Sequence, residues 1–281
     1  MKIWKNTKTL DDYDKGLIFT SEKSEADIAL IGSKKLKLDH FSNLKAIFRA
    51  GVGKDNVPEA EALKRDIIVR YPSEKTANII FDETAKFTCS LIFKMIYDNP
   101  GDINSWVKYP REQLSKKKLL IIGLGRIGSM IAQLMSPFLT ILTFDIKENN
   151  SSALKPLIQK ADCITLHIPN SKDNLSFIDD EKLSWMKDGA IIINTARGAI
   201  VDEDSLYSEI KSNRLRAAFD VFWNEPYEGI LKEFYPDRFF MTPHVASTCS
   251  DFLKGCRLDL NMLINELQNK NYILYFHNDP L

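Results

Sequence analysis

The feature that most constrains the fold is a stretch between residues 119 and 147 in which an apolar run enters a glycine-rich turn. The stretch reads LLIIGLGRIGSMIAQLMSPFLTILTFDIK and places Gly123, Gly125 and Gly128 in the pattern G-x-G-x-x-G. Four apolar residues precede the first glycine, and a segment with helical periodicity follows the third. This pattern predicts a buried strand, a tight turn and a helix in direct succession.

Each glycine of the turn has a physical role if the turn binds a dinucleotide. Gly123 permits the tight turn, Gly125 lets the backbone approach a pyrophosphate, and Gly128 lets the helix pack closely on the strand. The N-terminus of the helix offers free N–H groups and a partial positive charge to phosphates. Arg126 and Ile127, within the turn, are further candidate cofactor-binding residues. The alternative is a sheet of the same kind that carries no ligand.

An acidic residue ends the next predicted strand. Asp145 lies 17 residues after Gly128, where a carboxylate can accept hydrogen bonds from both hydroxyls of a ribose. The same charge would repel a 2′-phosphate. The stretch therefore predicts that the chain binds NAD rather than NADP.

Strand-like and helical segments alternate along the rest of the chain. Strands are expected at 17–20, 26–32, 44–50 and 67–71, and a helix at 76–97. Further strands are expected at 119–123, 140–145, 163–168, 190–194, 217–221 and 239–242. Because these strands are apolar on both faces, parallel sheets with crossover helices are the economical arrangement, and the chain is expected to be an α/β protein.

Composition excludes several classes of partner. Lys and Arg together number 38, as do Asp and Glu, so that the net charge is zero and favours neither nucleic acid nor an anionic membrane. No apolar run approaches the ~20 residues of a membrane helix, and the first residues do not begin a signal peptide. The cysteines lack the spacing of metal ligands. We expect a cytoplasmic protein with reduced thiols and no metal.

Histidine is the side chain that exchanges protons most readily near neutral pH, and the chain has only four. His40 and His277 lie in polar segments and are expected at the surface. His167 ends a predicted strand and is expected to make a local hydrogen bond. His244, in the stretch MTPHVAST, lies beyond the end of a strand, where open α/β sheets bind their ligands. It is the candidate proton donor.

Two other loops have the same placement. Arg197 follows the strand in IIINTARG, and Glu225 follows the strand in AAFDVFWNEP. A guanidinium group can bind a carboxylate through two hydrogen bonds, and a glutamate can stabilise a protonated imidazole. Taken singly, these residues are also compatible with a surface arginine, a helix cap and a buried histidine. Together they predict a site that binds an acid and transfers a proton.

The sequence resembles the NAD-dependent D-isomer-specific 2-hydroxyacid dehydrogenases, and most of all their phosphoglycerate dehydrogenase-like branch. The matching stretches occur in the family's order: RAGVGKDNV (49–57), GLGRIG (123–128), HIP (167–169), INTARG (193–198), DVFWNEP (220–226) and TPHVAST (242–248). The resemblance implies hydride transfer between NAD(H) and a 2-hydroxy or 2-keto acid. It also implies that Arg197 binds the substrate carboxylate, that His244 is the general acid and base, and that Glu225 is the partner of His244.

The resemblance also implies further binding residues. The backbone amides of the loop formed by Gly51, Val52 and Gly53 would hold the substrate carboxylate. Asp220 would contact the nicotinamide amide. Other contacts with the cofactor would come from His167, Pro169, Thr195, Ala196, Arg197 and His244.

Two domains are expected from the resemblance. Residues 1–97, completed by 252–281, would form a smaller flavodoxin-like substrate-binding domain, and residues 98–251 an NAD-binding domain with a Rossmann doubly wound parallel sheet. The segment between residues 98 and 118 is compact where relatives carry a longer arm for dimer contacts, and Trp106 is its expected remnant. The resemblance itself implies a homodimer.

The substrate is less constrained by the sequence. Arg49 and Lys54 flank the expected carboxylate loop and allow a second anionic group, as in 3-phosphoglycerate or a related hydroxy acid. The alternative is that Arg49 only ends a strand, in solvent or in an ion pair. A different class of function stays open, because some similar proteins are NAD-sensing corepressors that act by binding rather than by catalysis.

Overall fold

The computed structural model describes residues 1–276 and the side chains of residues 1–269. His277 and the end of the expected first domain therefore lie outside the described residues. The chain divides into two compact units, Met1–Ile80 with Thr248–Leu281, and Phe81–Ser247. No helix among the described residues is long and apolar enough to cross a membrane.

The first unit is built on a parallel sheet and the second on another. The strands of the first are β1 (Lys2–Lys5), β2 (Ile18–Phe19), β3 (Ile28–Ile31), β4 (Ala46–Arg49) and β5 (Ile68–Arg70). Those of the second unit are β6 (Gly101–Asp102), β7 (Val107–Lys108), β8 (Lys118–Ile122), β9 (Thr140–Phe144), β10 (Cys163–Leu166), β11 (Ile191–Asn194), β12 (Arg216–Phe219) and β13 (Phe239–Met241). The helices are α1 (Glu59–Lys64), α2 (Glu74–Ile96), α3 (Arg126–Met135), α4 (Leu154–Lys160), α5 (Asp180–Ser184), α6 (Glu203–Lys211) and α7 (Ser250–Phe276).

The sheet of the first unit has the strand order β2-β1-β3-β4-β5, which is the flavodoxin-like order. Strand β1 pairs in parallel with both β2 and β3. Sequence reasoning missed β1 because its residues, KIWK, have a lysine at each end and no apolar run. Its position between β2 and β3 shows that pairing on both sides can stabilise a strand that lacks the usual apolar composition.

Residues 250–269 of α7 complete the core of the first unit. The helix buries Phe252, Cys256, Leu260, Leu263 and Leu267 against β1, β3 and β4. These positions are three or four residues apart and so lie on one helical face. The opposite face of the sheet packs against a second core, which includes Ala62 of α1.

The boundary between the units lies at residue 80 and not at residue 97, where the sequence placed it. It falls inside α2. Ile80 belongs to the core of the first unit, whereas Ala85, Ile92 and Met95 belong to a core of the second. Periodicity does not reveal such a division, because one continuous helix spans both parts.

The main sheet of the second unit is parallel, with the order β13-β12-β11-β10-β8-β9 over the described residues. Every strand expected after residue 118 is present, including the last one, β13. The direction of winding reverses between β8 and β10, and ligands of open α/β sheets bind beyond the carboxyl ends of the strands at such a point.

Helices cover both faces of this sheet. Leu120 and Ile122 of β8 point into one core, which α4, α5 and α6 complete, whereas Leu119 and Ile121 point into the other, which α2 and α3 complete. Alternate residues of a strand face opposite sides, so each strand is buried on both. The doubly wound Rossmann-type sheet expected from the sequence is confirmed.

Candidate active site

The turn after β8 has the geometry expected of its glycines. Gly123 has φ of 97°, and a Cβ there would lie 2.6 Å from the carbonyl oxygen of His167. A Cβ at Gly128 would overlap the carbonyl oxygen of Gly123. Gly125 differs from both, because it is exposed and a Cβ there would meet no atom within 4 Å. The fold requires Gly123 and Gly128, whereas Gly125 leaves space beside the N-terminus of α3.

The carboxylate of Asp145 closes this turn. Its Oδ1 accepts a hydrogen bond from the backbone N–H of Lys147 at 3.0 Å, and its Oδ2 accepts one from Leu124 at 2.8 Å. These hydrogen bonds hold the pKa of Asp145 below its usual value, so the group is ionised at neutral pH. A carboxylate has about four acceptor positions, which leaves capacity for ribose hydroxyls.

The residues around the turn fit a dinucleotide. The first N–H groups of α3 and the space at Gly125 suit a pyrophosphate, and the ionised Asp145 suits a ribose. Arg126 is exposed and its guanidinium lies 4.9 Å from the ring centre of Phe81. Ile127 packs its side chain on the apolar core, so that only its backbone is available to a ligand.

His167 lies beside the turn and makes the local hydrogen bond expected of it. Its Nε2 is 2.8 Å from Oγ1 of Thr165, and its backbone N–H donates to Ile122 at 2.7 Å. Burial lowers the pKa of His167 to about 3, so the ring is neutral. Contacts of His167 and the exposed Pro169 with a cofactor stay predictions.

Arg197 stands on a turn that a buried asparagine holds. Asn194 donates through Nδ2 to the carbonyl oxygen of Arg197 at 2.8 Å and accepts from the N–H of Ala196 at 3.0 Å. The guanidinium of Arg197 donates to the carbonyl oxygen of Ala196 at 2.7 Å. Thr195 is buried, and its hydroxyl lies 2.8 Å from that of Thr88 in α2. Sequence reasoning missed the role of Asn194, although a polar residue ending an apolar strand is a usable signal.

Glu225 and His244 form a pair. Nδ1 of His244 is 2.9 Å from both carboxylate oxygens of Glu225, and the backbone N–H of Phe222 donates to Oε1 of Glu225 at 3.2 Å. The two side chains retain 30% and 25% exposure, for His244 and Glu225 respectively. The pair is therefore ordered by hydrogen bonds and still reachable by a small molecule.

Asp220 fixes the loop that carries His244. It is 0% exposed, and its carboxylate accepts hydrogen bonds from the hydroxyl of Thr242 at 2.6 Å and from the backbone N–H groups of Val245 and Ala246, both at 2.8 Å. Burial raises the pKa of Asp220, and these hydrogen bonds oppose the rise. His244 itself has φ of 55°, a left-handed conformation. Sequence reasoning missed this role of Asp220, and its contact with nicotinamide stays a prediction.

The loops of Arg197, Glu225 and His244 lie together at one edge. They follow β11, β12 and β13, which are neighbours in the sheet. A Cβ at Gly198 would overlap the backbone between Phe222 and Trp223, so the first two loops are in direct contact. The structure thus brings together the candidate catalytic residues that the sequence singled out.

The expected carboxylate loop, Gly51 to Gly53, follows β4 in the first unit. Gly51 has φ of 144°, and the guanidinium of Arg49 packs directly against it. Arg49 is buried, donates to the carbonyl oxygen of Ala50 at 2.6 Å and bonds Asn56 at 3.3 Å. Lys54 is exposed, with its Nζ 5.3 Å from the ring centre of Tyr71. Arg49 therefore supports the loop from within, and contact of the loop with substrate stays a prediction.

Comparison with known proteins identifies the chain. Residues 99–246 match the family described as D-isomer specific 2-hydroxyacid dehydrogenase, NAD binding domain. The chain belongs to this family. It is accordingly an NAD-dependent oxidoreductase of 2-hydroxy and 2-keto acids.

Similar proteins of known name differ in the activity that their names state. A glyoxylate reductase from Thermofilum pendens is 31% identical over an alignment of 266 residues, and the alignment covers 85% of this dehydrogenase and 74% of the relative. A D-3-phosphoglycerate dehydrogenase from Archaeoglobus fulgidus is 31% identical over an alignment of 243 residues, and the alignment covers 80% of this chain and 44% of the relative. The dehydrogenase thus spans less than half the length of that second protein.

A solved structure supports the fold. The D-lactate dehydrogenase from Aquifex aeolicus, complexed with NAD and lactic acid, has a TM-score of 0.76 and 21% identity, and the similarity covers 100% of both chains. This likeness extends over both units.

Replacement of Gly125 by alanine should affect cofactor binding, whereas replacement of Gly128 should affect stability. Gly125→Ala leaves the unfolding free energy unchanged but weakens NAD binding at least about tenfold, because the Cβ fills the space for the pyrophosphate. Gly128→Ala costs about 1–3 kcal/mol of stability through overlap with Gly123. Chemical denaturation and calorimetry measure the two effects. Unchanged NAD affinity in Gly125→Ala would contradict the placement of the pyrophosphate beside Gly125.

The charge of Asp145 should decide the choice of cofactor. We expect NAD to bind at least about tenfold more tightly than NADP, and Asp145→Asn to reduce that ratio because the repulsion of the 2′-phosphate is lost. The control is Glu148→Gln, which removes an exposed acid three residues away. Calorimetric affinities that show the same ratio in all three proteins would contradict the role of Asp145.

Proposed function

We propose that this dehydrogenase interconverts a 2-hydroxy acid and its 2-keto acid with His244 as general acid and base, Glu225 as the partner of His244, and Arg197 as the ligand of the substrate carboxylate. The observation that carries the proposal is the pairing of Nδ1 of His244 with both oxygens of Glu225 at 2.9 Å. This contact leaves Nε2 as the ring atom for proton transfer.

NAD bound at the glycine loop would accept the hydride from C2 of the hydroxy acid, or return it to the keto acid. In oxidation, Nε2 of His244 takes the hydroxyl proton, and in reduction it gives that proton to the carbonyl oxygen. Glu225 stabilises the imidazolium that exists on the keto-acid side of the reaction. Arg197 neutralises the carboxylate and fixes its plane through paired hydrogen bonds.

For the substrate we propose 3-phosphoglycerate or a related anionic hydroxy acid. Lys54 supports this choice, because it is exposed directly after Gly53 and offers a cation to a second anionic group. Arg49 gives no such support, since its guanidinium is committed to the backbone of Ala50 and to Asn56. Relatives include glyoxylate and hydroxypyruvate reductases, so these smaller keto acids are the competing substrates.

We further propose that the protein forms a homodimer through the hairpin of β6 and β7. The hairpin exposes Ile103 and Trp106 to 73% and 76%, together with Val107. Apolar side chains grouped in this way mark an association surface more often than scattered ones do.

Substitution of Trp106 should weaken the dimer. Trp106→Ser removes the largest apolar group of the hairpin, and we expect its dissociation constant to rise about tenfold or more, as for a central interface residue. Sedimentation equilibrium measures this change, with Ile18→Ser, an exposed residue of the first unit, as the control. A monomeric native protein, or an equal effect of both variants, would contradict the interface.

Loss of the proton carrier should affect turnover and leave cofactor binding intact. His244→Asn keeps a side chain of similar shape, and we expect kcat to fall by about 10²–10⁴ with little change in NADH affinity. The assay follows NADH absorbance with glyoxylate, hydroxypyruvate and 3-phosphohydroxypyruvate, of which the last should give the highest kcat/KM. Retained turnover in the variant would show that His244 is not the proton carrier. Equal kcat/KM values for the three acids would show that the site does not recognise a second anionic group of the substrate.

A further inference from the structure

The turn that carries Glu225 is fastened to the segment after Arg197 at several points. Gly198 lies against the backbone of Phe222 and Trp223. Nε1 of Trp223 donates to the carbonyl oxygen of Val201 at 2.7 Å. These contacts fix the start of the turn, before Glu225.

A separate contact fixes the end of the turn, after Glu225. The hydroxyl of Tyr227 donates to Oε1 of Glu203 at 2.6 Å and accepts from the N–H of Leu231 at 3.1 Å. Both the burial of this phenol and its bond to Glu203 raise the pKa of Tyr227, so it keeps its proton. A Cβ at Gly229 would meet Glu203 and the ring of Tyr227, so the backbone closes tightly over this bond.

The ring of Tyr227 also closes the turn on itself. It stacks on Phe222, with ring centres 4.8 Å apart and an angle of 20° between planes. Phe222 is the residue whose backbone N–H donates to Oε1 of Glu225. The aromatic pair thus joins the residue whose N–H binds the Glu225 carboxylate to the residue that lies two positions after Glu225.

We propose that Tyr227 is a positioning residue of the reaction: through its ring on Phe222 and its hydroxyl on Glu203, it holds the Glu225 carboxylate within hydrogen-bond distance of His244. This inference rests on the roles of Glu225 and His244 given under the proposed function. Tyr227 acts through Glu225 and makes no hydrogen bond with His244 among the described residues. Its loss therefore weakens the support of the imidazolium without removing any group that reacts.

The test is the pH profile of kcat/KM for reduction of a 2-keto acid by NADH. Reduction needs protonated His244, so activity is present at low pH and is lost on the alkaline limb of the profile. Tyr227→Phe keeps the ring and removes the hydroxyl, which loosens Glu225. We expect the alkaline limb to move to lower pH by about 0.3–1 pH unit, with unchanged NADH affinity.

Companion variants separate positioning from general destabilisation. Glu203→Ala removes the acceptor of the Tyr227 hydroxyl and should move the alkaline limb as Tyr227→Phe does. Glu203→Gln retains an acceptor oxygen and should keep the native pH profile. The double variant Tyr227→Phe with Glu203→Ala should shift no further than either single one, because both remove one interaction. The control is Tyr207→Phe, whose ring contacts Phe234 and whose hydroxyl has no hydrogen bond among the described residues.

Glu225→Gln serves as the reference, since it removes the anionic partner of His244 directly. If Glu225→Gln moves the limb and Tyr227→Phe does not, the positioning role is overturned while the proposed function stands. If Glu225→Gln leaves the profile unchanged, both are overturned. A shift in Tyr207→Phe equal to that in Tyr227→Phe also overturns the positioning role.

Discussion

Parallel pairing of strands that are buried on both faces is the constraint on which this structure depends. In the second unit, residues such as Leu119 and Leu120 face opposite cores, so the faces of the sheet have no room for polar chemistry. Polar groups are confined to the loops at the strand ends. Because all strands of this sheet run in the same direction, their carboxyl ends form one edge, where the glycine turn and the loops of Arg197, Glu225 and His244 all lie.

Hydrogen bonds from side chains to backbone groups then determine how each loop presents its side chain. Asn194 holds the Arg197 turn, Asp220 holds the loop of His244, and Asp145 closes the glycine turn. Each of these three side chains lies at the end of a strand and makes hydrogen bonds to backbone groups that lie outside the sheet. Acidic groups in these positions also shape the electrostatics, since Asp145 is ionised and Glu225 faces an imidazole.

Much of this arrangement could be predicted from the sequence, for identifiable reasons. The main-sheet strands of the second unit could be predicted from their apolar composition, and the turn after β8 from the glycine pattern. Other features depend on tertiary partners that no local pattern shows. Strand β1 owes its existence to pairing on both sides, and the division of α2 follows from which core each part of the helix meets. The support that the buried carboxylate of Asp220 gives to the loop of His244 is likewise visible only in the structure.

The proposed activity depends on recognition of a carboxylate next to the reacting carbonyl. The direct measurement compares kcat/KM for a 2-keto acid and for a ketone of the same length without the carboxylate, in the native protein and in Arg197→Lys. A charge-assisted, paired contact predicts a preference for the acid of more than about 100-fold in the native protein. Lysine keeps the charge but loses the planar fork, so the variant should lose most of that preference while binding NADH normally. If the native protein reduces the ketone as fast as the 2-keto acid, the proposed recognition of the carboxylate is contradicted.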